Sequence, residues 1–139
     1  YFKIDIIRCA KIMGLAFTMP DKMPMNSLAA ARAFYSLDGS NPSIAKQFAA
    51  AIYKAHWGLG RDMSEVEDVV HIAESLGIEG DTVRTACQNQ EIKDKLKNIT
   101  MASVEAGVFG SPFIIADGEH FWGHDRLEHL ERWLGAGHW

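Results

Sequence analysis

Gly107-Val108-Phe109-Gly110-Ser111-Pro112-Phe113-Ile114-Ile115-Ala116-Asp117-Gly118-Glu119-His120-Phe121-Trp122 is the stretch over which the chain changes its hydrophobic period. Two glycines ahead of an X-Pro step lead straight into the apolar run Phe113–Ala116. That order predicts a sharp turn with the proline entering a strand. On composition alone, a plain loop between a helix and a strand fits as well. Asp117-Gly118 separates the run from a second one, Glu119–Trp122, by two residues, which is the strongest short-range hairpin signal a sequence offers. Asp125 then stands where it would cap a final helix carrying Leu127, Leu130, Trp133 and Leu134 on one face.

Upstream, the apolar residues recur at helical spacing. Phe2, Ile6, Cys9 and Met13 predict a helix that Gly14 stops, and Leu15–Met25, with Pro20 and Pro24, reads as an irregular connection. Asn26 or Ser27 is expected to cap an alanine-rich helix through about Leu37, ended by Gly39. Asn41-Pro42 is a second start signal, a cap followed by proline at the first helical position. Ile44, Phe48, Ala51 and Ala55 form the stripe of that helix, and Gly58 and Gly60 break it. Ser64 with Glu67 forms a capping-box pattern before Val66, Val69, Ala73 and Leu76. Asp81 is expected to cap a short helix holding Val83 and Cys87. Ile92, Leu96 and Ile99 line another, running to about Ala106. The order is six helices, then strand, turn, strand, helix. A two-stranded hairpin is marginal in water, so Phe113, Ile114, Ile115, Phe121 and Trp122 call for further strands. These are expected in residues before Tyr1, since the first helix also opens without a cap.

Composition excludes several classes. The 139 residues are 47% hydrophobic and 23% charged, as in an ordinary globular domain, and the net charge of −4 offers no surface for phosphates, so no nucleic acid is expected as partner. No apolar run approaches the roughly 20 residues that span a bilayer, and the first residues lack the pattern of a signal peptide. Cys9 and Cys87 are distant and without a C-x-x-C neighbour. They read as small apolar fillers in a reducing, cytoplasmic compartment.

The motifs are more specific in combination. Gly107–Phe113, together with Gly118-Glu119-His120-Phe121-Trp122-Gly123-His124-Asp125-Arg126-Leu127, resembles the C-terminal signature of the 2-hydroxychromene-2-carboxylate isomerase and kappa-class glutathione transferase group, in the DsbA-like thioredoxin superfamily. Tyr1, Asp5, Arg8 and Ala10, the Pro24-x-Asn26-Ser27-Leu28 segment, and His56-Trp57 before Gly60-Arg61-Asp62 match positions of that group's helical lobe. The resemblance implies an α+β, mostly helical fold: a thioredoxin-like fold with an inserted helical lobe (DsbA-like). Residues 1–106 would be the helical lobe and 107–139 the C-terminal ββα part, with the N-terminal βαβ portion absent from this chain. The group's glutathione-activating serine, in an S-P-x-S-like context, has no counterpart here, so the catalytic residue is left unknown.

The resemblance also implies a site. The Ser111–Pro112 bond would be cis, and the backbone N–H and C=O of Ser111 would pair with the cysteinyl part of glutathione. His124 and Asp125 would receive its γ-glutamyl end, Asp125 pairing with the ammonium group; His124 stands where Asn or Ser is more usual. Independently of the resemblance, free amides at a helix start suit anionic ligands, while a bare N-cap role would also account for Asp125. The implied enzyme is a glutathione-dependent isomerase of a small aromatic 2-oxo acid such as 2-hydroxychromene-2-carboxylate, cytoplasmic and homodimeric, serving aromatic catabolism. Glu119–Gly123 resembles the isomerase motif more closely than the transferase one. The alternatives are a kappa-class transferase, a DsbA-type thiol–disulfide oxidoreductase, whose redox pair would also precede Tyr1, and a non-catalytic glutathione-binding module. His120 and His124, four apart, lack a third ligand at zinc-site spacing, so no metal is expected. Trp57, Phe109 and Trp122 read first as core residues, with a pocket-lining role as the alternative.

Overall fold

Six helices precede a hairpin and one follows it in the computed structural model, which describes residues 1–139. The helices are α1 (Phe2–Ile12), α2 (Leu28–Ser40), α3 (Pro42–Tyr53), α4 (Val66–Ser75), α5 (Gly80–Gln88), α6 (Gln90–Glu105) and α7 (Leu127–Ala136). A five-residue π turn, Lys54–Gly58, prolongs α3, and a 3-10 turn, His124–Arg126, leads into α7. The strands are β1 (Phe113–Ala116) and β2 (Glu119–Trp122). The chain divides into two compact units, Tyr1–Lys97 and Asn98–Trp139, with α6 contributing residues to both.

The first unit is built on α2. Its buried face carries Ala29, Ala30, Ala33 and Leu37, side chains small enough for α3 and α5 to pack closely against it. Phe48 and Ile52 from α3, Val69, Val70 and Ala73 from α4, Val83 from α5 and Met63 complete one cluster. Phe48, fully enclosed, is among its largest members. Three helices, α1, α4 and α6, end in the same way. A left-handed glycine (Gly14, Gly77 or Gly107) lets its own amide and the one after it turn back onto the last carbonyls.

Four local readings are corrected. Helix α2 does not stop at Gly39; it runs to Ser40, where Asn41 N–H closes on the Leu37 carbonyl. The terminator is Asn41 itself, extended at φ −149° because Pro42 follows it. The Ser64–Glu67 capping box does not form: Asp62 Oδ1 takes both the N–H and the hydroxyl of Ser64, and Arg84 takes Glu67. Asp81 does not cap α5; it lies inside the first turn and holds Arg84 at 2.8 Å. Asp125 makes no side-chain cap, because the last helix begins with a 3-10 turn and the carboxylate turns to Arg126, 3.1 Å away. The Asn41 cap is found as read, its side chain accepting from Ile44 N–H at 3.2 Å.

In the second unit the hairpin pairs Phe113 with Trp122, Ile114 with Phe121, Ile115 with His120 and Ala116 with Glu119. Asp117 and Gly118 both have positive φ, 53° and 84°, as a two-residue turn of matching twist requires. One face turns Phe121 inward, where it is buried and lies 6.1 Å from the Trp139 ring. The other carries Phe113, Ile115, His120 and Trp122, and there Ile115 and Trp122 are exposed. No helix is long and apolar enough to cross a membrane.

Candidate functional site

The second unit brings the turn before β1 and the start of the last helix together. The Ser111–Pro112 peptide bond is cis, and the Pro112 carbonyl accepts from Gly123 N–H at 3.0 Å, extending the pairing of β1 and β2 by one step. That bond places Pro112, the residue after Ser111, across the hairpin from Gly123, the residue preceding His124. Ser111 is exposed, and its main-chain N–H and C=O make no hydrogen bond within the chain. They are therefore free for an extended peptide, as at a strand edge.

Two glycines shape the surroundings. A side chain at Gly110 would collide with Trp122 Nε1, so the indole lies directly on the Gly110 backbone. There Trp122 meets Phe109 edge-on at 5.0 Å, and Phe109 meets Phe113 at 5.1 Å. Phe109 and Trp122 are more than half exposed, which corrects their reading as core residues. Gly123 has φ 100° and ψ 155°, a conformation essentially confined to glycine, and a Cβ there would sit 2.5 Å from Asp125 Oδ1. The missing side chain is the space into which the Asp125 carboxylate folds.

A cleft of about 360 Å³ opens at this point, lined by His120, Trp122, Gly123, Asp125 and Arg126. Of the four residues singled out in the sequence, Asp125 lines it; Ser111, Pro112 and His124 do not. His124 lies exposed in the 3-10 turn, and His120 packs edge-on against Phe113 at 5.4 Å. No three His, Cys, Asp or Glu side chains come together as metal ligands would. Arg126 and His120 line the cleft although the sequence assigns neither a ligand contact there. The hairpin register is the signal that could have found His120, since it places it on the Trp122 face.

The first unit holds a cavity of its own, about 460 Å³, between α2, α3 and the π turn, with Phe34, Ile52 and Trp57 among its walls. Trp57 is among its lining residues and is half-buried; its ring stacks on Phe17 at 6.1 Å and 17°. Cys87 is half-buried against the core cluster, and burial pushes its thiol pKa up. On α1 and the residue before it, Tyr1, Asp5 and Arg8 form an exposed hydrogen-bonded trio.

Comparison with known proteins accounts for this arrangement. Residues 1–135 match the family model of the DSBA-like thioredoxin domain. A 2-hydroxychromene-2-carboxylate isomerase from Sphingobium xenophagum is 30% identical over 90 residues, covering 65% of this chain and 46% of its own. Glutathione S-transferase kappa 1 from Rattus norvegicus is 26% identical over 106 residues, 68% of this chain and 47% of its own. Among solved structures, a 2-hydroxychromene-2-carboxylate isomerase superposes with a TM-score of 0.82 at 27% identity, over 97% of this chain and 64% of that one. The chain thus spans about half the length of these two curated relatives. With the family model matched over nearly the whole chain, the chain belongs to the DSBA-like thioredoxin domain family.

Proposed function

We propose that this chain is part of a glutathione-dependent isomerase of a small aromatic 2-oxo acid, such as 2-hydroxychromene-2-carboxylate, and that it holds the peptide part of glutathione. The observation that carries the reading is the free N–H and C=O of Ser111, tied through the Pro112–Gly123 hydrogen bond to the strand end that leads into Asp125 and Arg126. Ser111 would pair with the cysteinyl backbone. Asp125 and Arg126, side by side in the cleft, offer an anion and a cation that match the ammonium and carboxylate of a γ-glutamyl end. The donor set therefore fits an extended zwitterionic peptide. His124, which does not line the cleft, has at most a main-chain share in it.

When bound, glutathione supplies the thiolate that acts on the conjugated double bond of the substrate. This chain's own contribution is to orient the tripeptide and to keep its charged end engaged. In this reading residues 1–106 are the helical lobe and 107–139 the closing part of the thioredoxin-like domain.

Calorimetric titration of the full-length protein with glutathione tests the reading. Ser111→Ala is expected to bind as the wild type does, because only the backbone is used. Asp125→Asn is expected to bind about five- to tenfold more weakly, the size expected for one partly solvated charge-assisted hydrogen bond. Turnover of 2-hydroxychromene-2-carboxylate, followed by absorbance, should require glutathione. Glutathione-independent turnover, or reduction of insulin disulfides in its place, would overturn the proposal.

A further inference from the structure

We infer that Leu15–Ser27 is a two-part strap, latched by Asp62, whose second half, Asp21–Ser27, opens on its own while the helices around it stay folded. The segment carries no helix or strand. A structureless connection of this length inside a compact unit is uncommon and is usually either functional or loosely held. Between Ala16 and Ser27, the main-chain amides of Thr18 and Asn26 are the ones tied to the rest of the fold. Each belongs to a different anchor.

The first anchor is closely packed. Phe17 stacks on Trp57, Thr18 N–H donates to the Trp57 carbonyl at 2.8 Å, and the Thr18 hydroxyl donates to the Gly58 carbonyl at 3.1 Å. Gly60, at φ 69°, makes room for the Thr18 methyl, since an added Cβ would lie 2.7 Å from Thr18 Cγ2. Pro20 is buried just beyond. The second anchor is a single carboxylate. Asp62 Oδ2 holds Lys22 Nζ at 3.2 Å, while Oδ1 accepts both the N–H and the hydroxyl of Ser64. The Ser64 oxygen, oriented in this way, accepts Asn26 N–H at 3.2 Å. The Lys22 side chain is 65% exposed and that of Asp62 37%, so water screens the pair and it is weak. Met25, half-buried against the core cluster, is the apolar contact of this half. Few buried apolar contacts and exposed polar ties are what mark a segment that opens locally. Met25 and Ser27 also line the cavity of the first unit, so the latch sets the form of that wall. Every residue involved lies in the first unit, and the opening needs no glutathione.

The test uses the full-length protein and two readouts. Amide hydrogen exchange, followed residue by residue by nuclear magnetic resonance, separates the anchors through the Thr18 and Asn26 amides. Oxidation by hydrogen peroxide, mapped by mass spectrometry, reports whether Met25 leaves the core, with the fully enclosed Met63 as internal reference. Asp62→Asn is expected to speed exchange at Asn26 about tenfold, the loss of one charge-assisted hydrogen bond, with Thr18 unchanged. In both Asp62→Asn and Ser64→Ala, Met25 should oxidise about threefold faster or more, with Met63 as slow as in the wild type. Ser64→Ala leaves Asp62 and Lys22 paired, so it distinguishes a released strap from a merely freed lysine. Unchanged exchange at Asn26 in Asp62→Asn, equal acceleration at Thr18, or Met25 oxidised at the wild-type rate in either variant overturns the latch. Acceleration at Met63 matching that at Met25 overturns it as well, because the whole unit has then loosened.

Discussion

Replacing Gly123 by alanine should separate backbone strain from the positioning of Asp125. At φ 100° and ψ 155° an alanine is strained by about 1–3 kcal/mol. Its Cβ would lie 2.5 Å from Asp125 Oδ1 and 3.7 Å from Cγ. The obstructing oxygen is the end of a mobile side chain, so the overlap is relieved by rotation of the carboxylate rather than by a backbone shift. The stability loss is therefore the strain alone, while the carboxylate leaves its place beside the Pro112 turn. Gly118→Ala is the control: φ is 84°, nothing lies within 4 Å of the added Cβ, and a loss of about 1–2 kcal/mol is expected. Urea unfolding should show both variants destabilised by comparable amounts. In glutathione titrations Gly118→Ala should match the wild type, and Gly123→Ala should lose the same five- to tenfold as Asp125→Asn. Unchanged glutathione affinity in Gly123→Ala, alongside weakened binding in Asp125→Asn, would refute the argument that this glycine positions the carboxylate.

Two further outcomes follow from the first unit. Asn41→Ala removes the cap of α3 and should cost about 1 kcal/mol in urea unfolding. Glu67 is held below the ordinary glutamate range, chiefly by its hydrogen bond from Arg84, and Asp62 likewise by those from Ser64 and Lys22. A carboxyl with a lowered folded pKa contributes stability above its unfolded pKa and loses it as the pH falls through the folded value. Glu67→Gln should therefore be less stable than the wild type at neutral pH and converge with it as the pH drops below the usual carboxylate range, measured by thermal unfolding across that span.

The element order was legible because helical periodicity and turn chemistry are local. Asp117-Gly118 demands positive φ at both positions, and Asn41-Pro42 joins a cap to a residue that cannot continue the preceding helix. The misread caps have one physical cause. Ser64, Glu67, Asp81 and Asp125 each carry a side chain able to cap a helix, but each found a competing charged or hydrogen-bonding neighbour. Three of these pairs, Ser64–Asp62, Asp81–Arg84 and Asp125–Arg126, lie near in sequence and outcompete a single amide; the Glu67–Arg84 pair spans seventeen residues and is visible only once α4 and α5 pack together.

By itself, the sequence determined the helices, the hairpin with its register, and a resemblance carried by the Gly107–Leu127 motifs. Periodicity, glycine conformation and motif spacing suffice for each of these. Tertiary structure alone decided that Pro112 is clasped to Gly123, that Asp125 folds into the space a glycine leaves, and that His56 is buried with Nδ1 on the Arg61 carbonyl. Each of those depends on which polar atoms remain unpaired after packing, and that is a property of the assembled fold rather than of any segment.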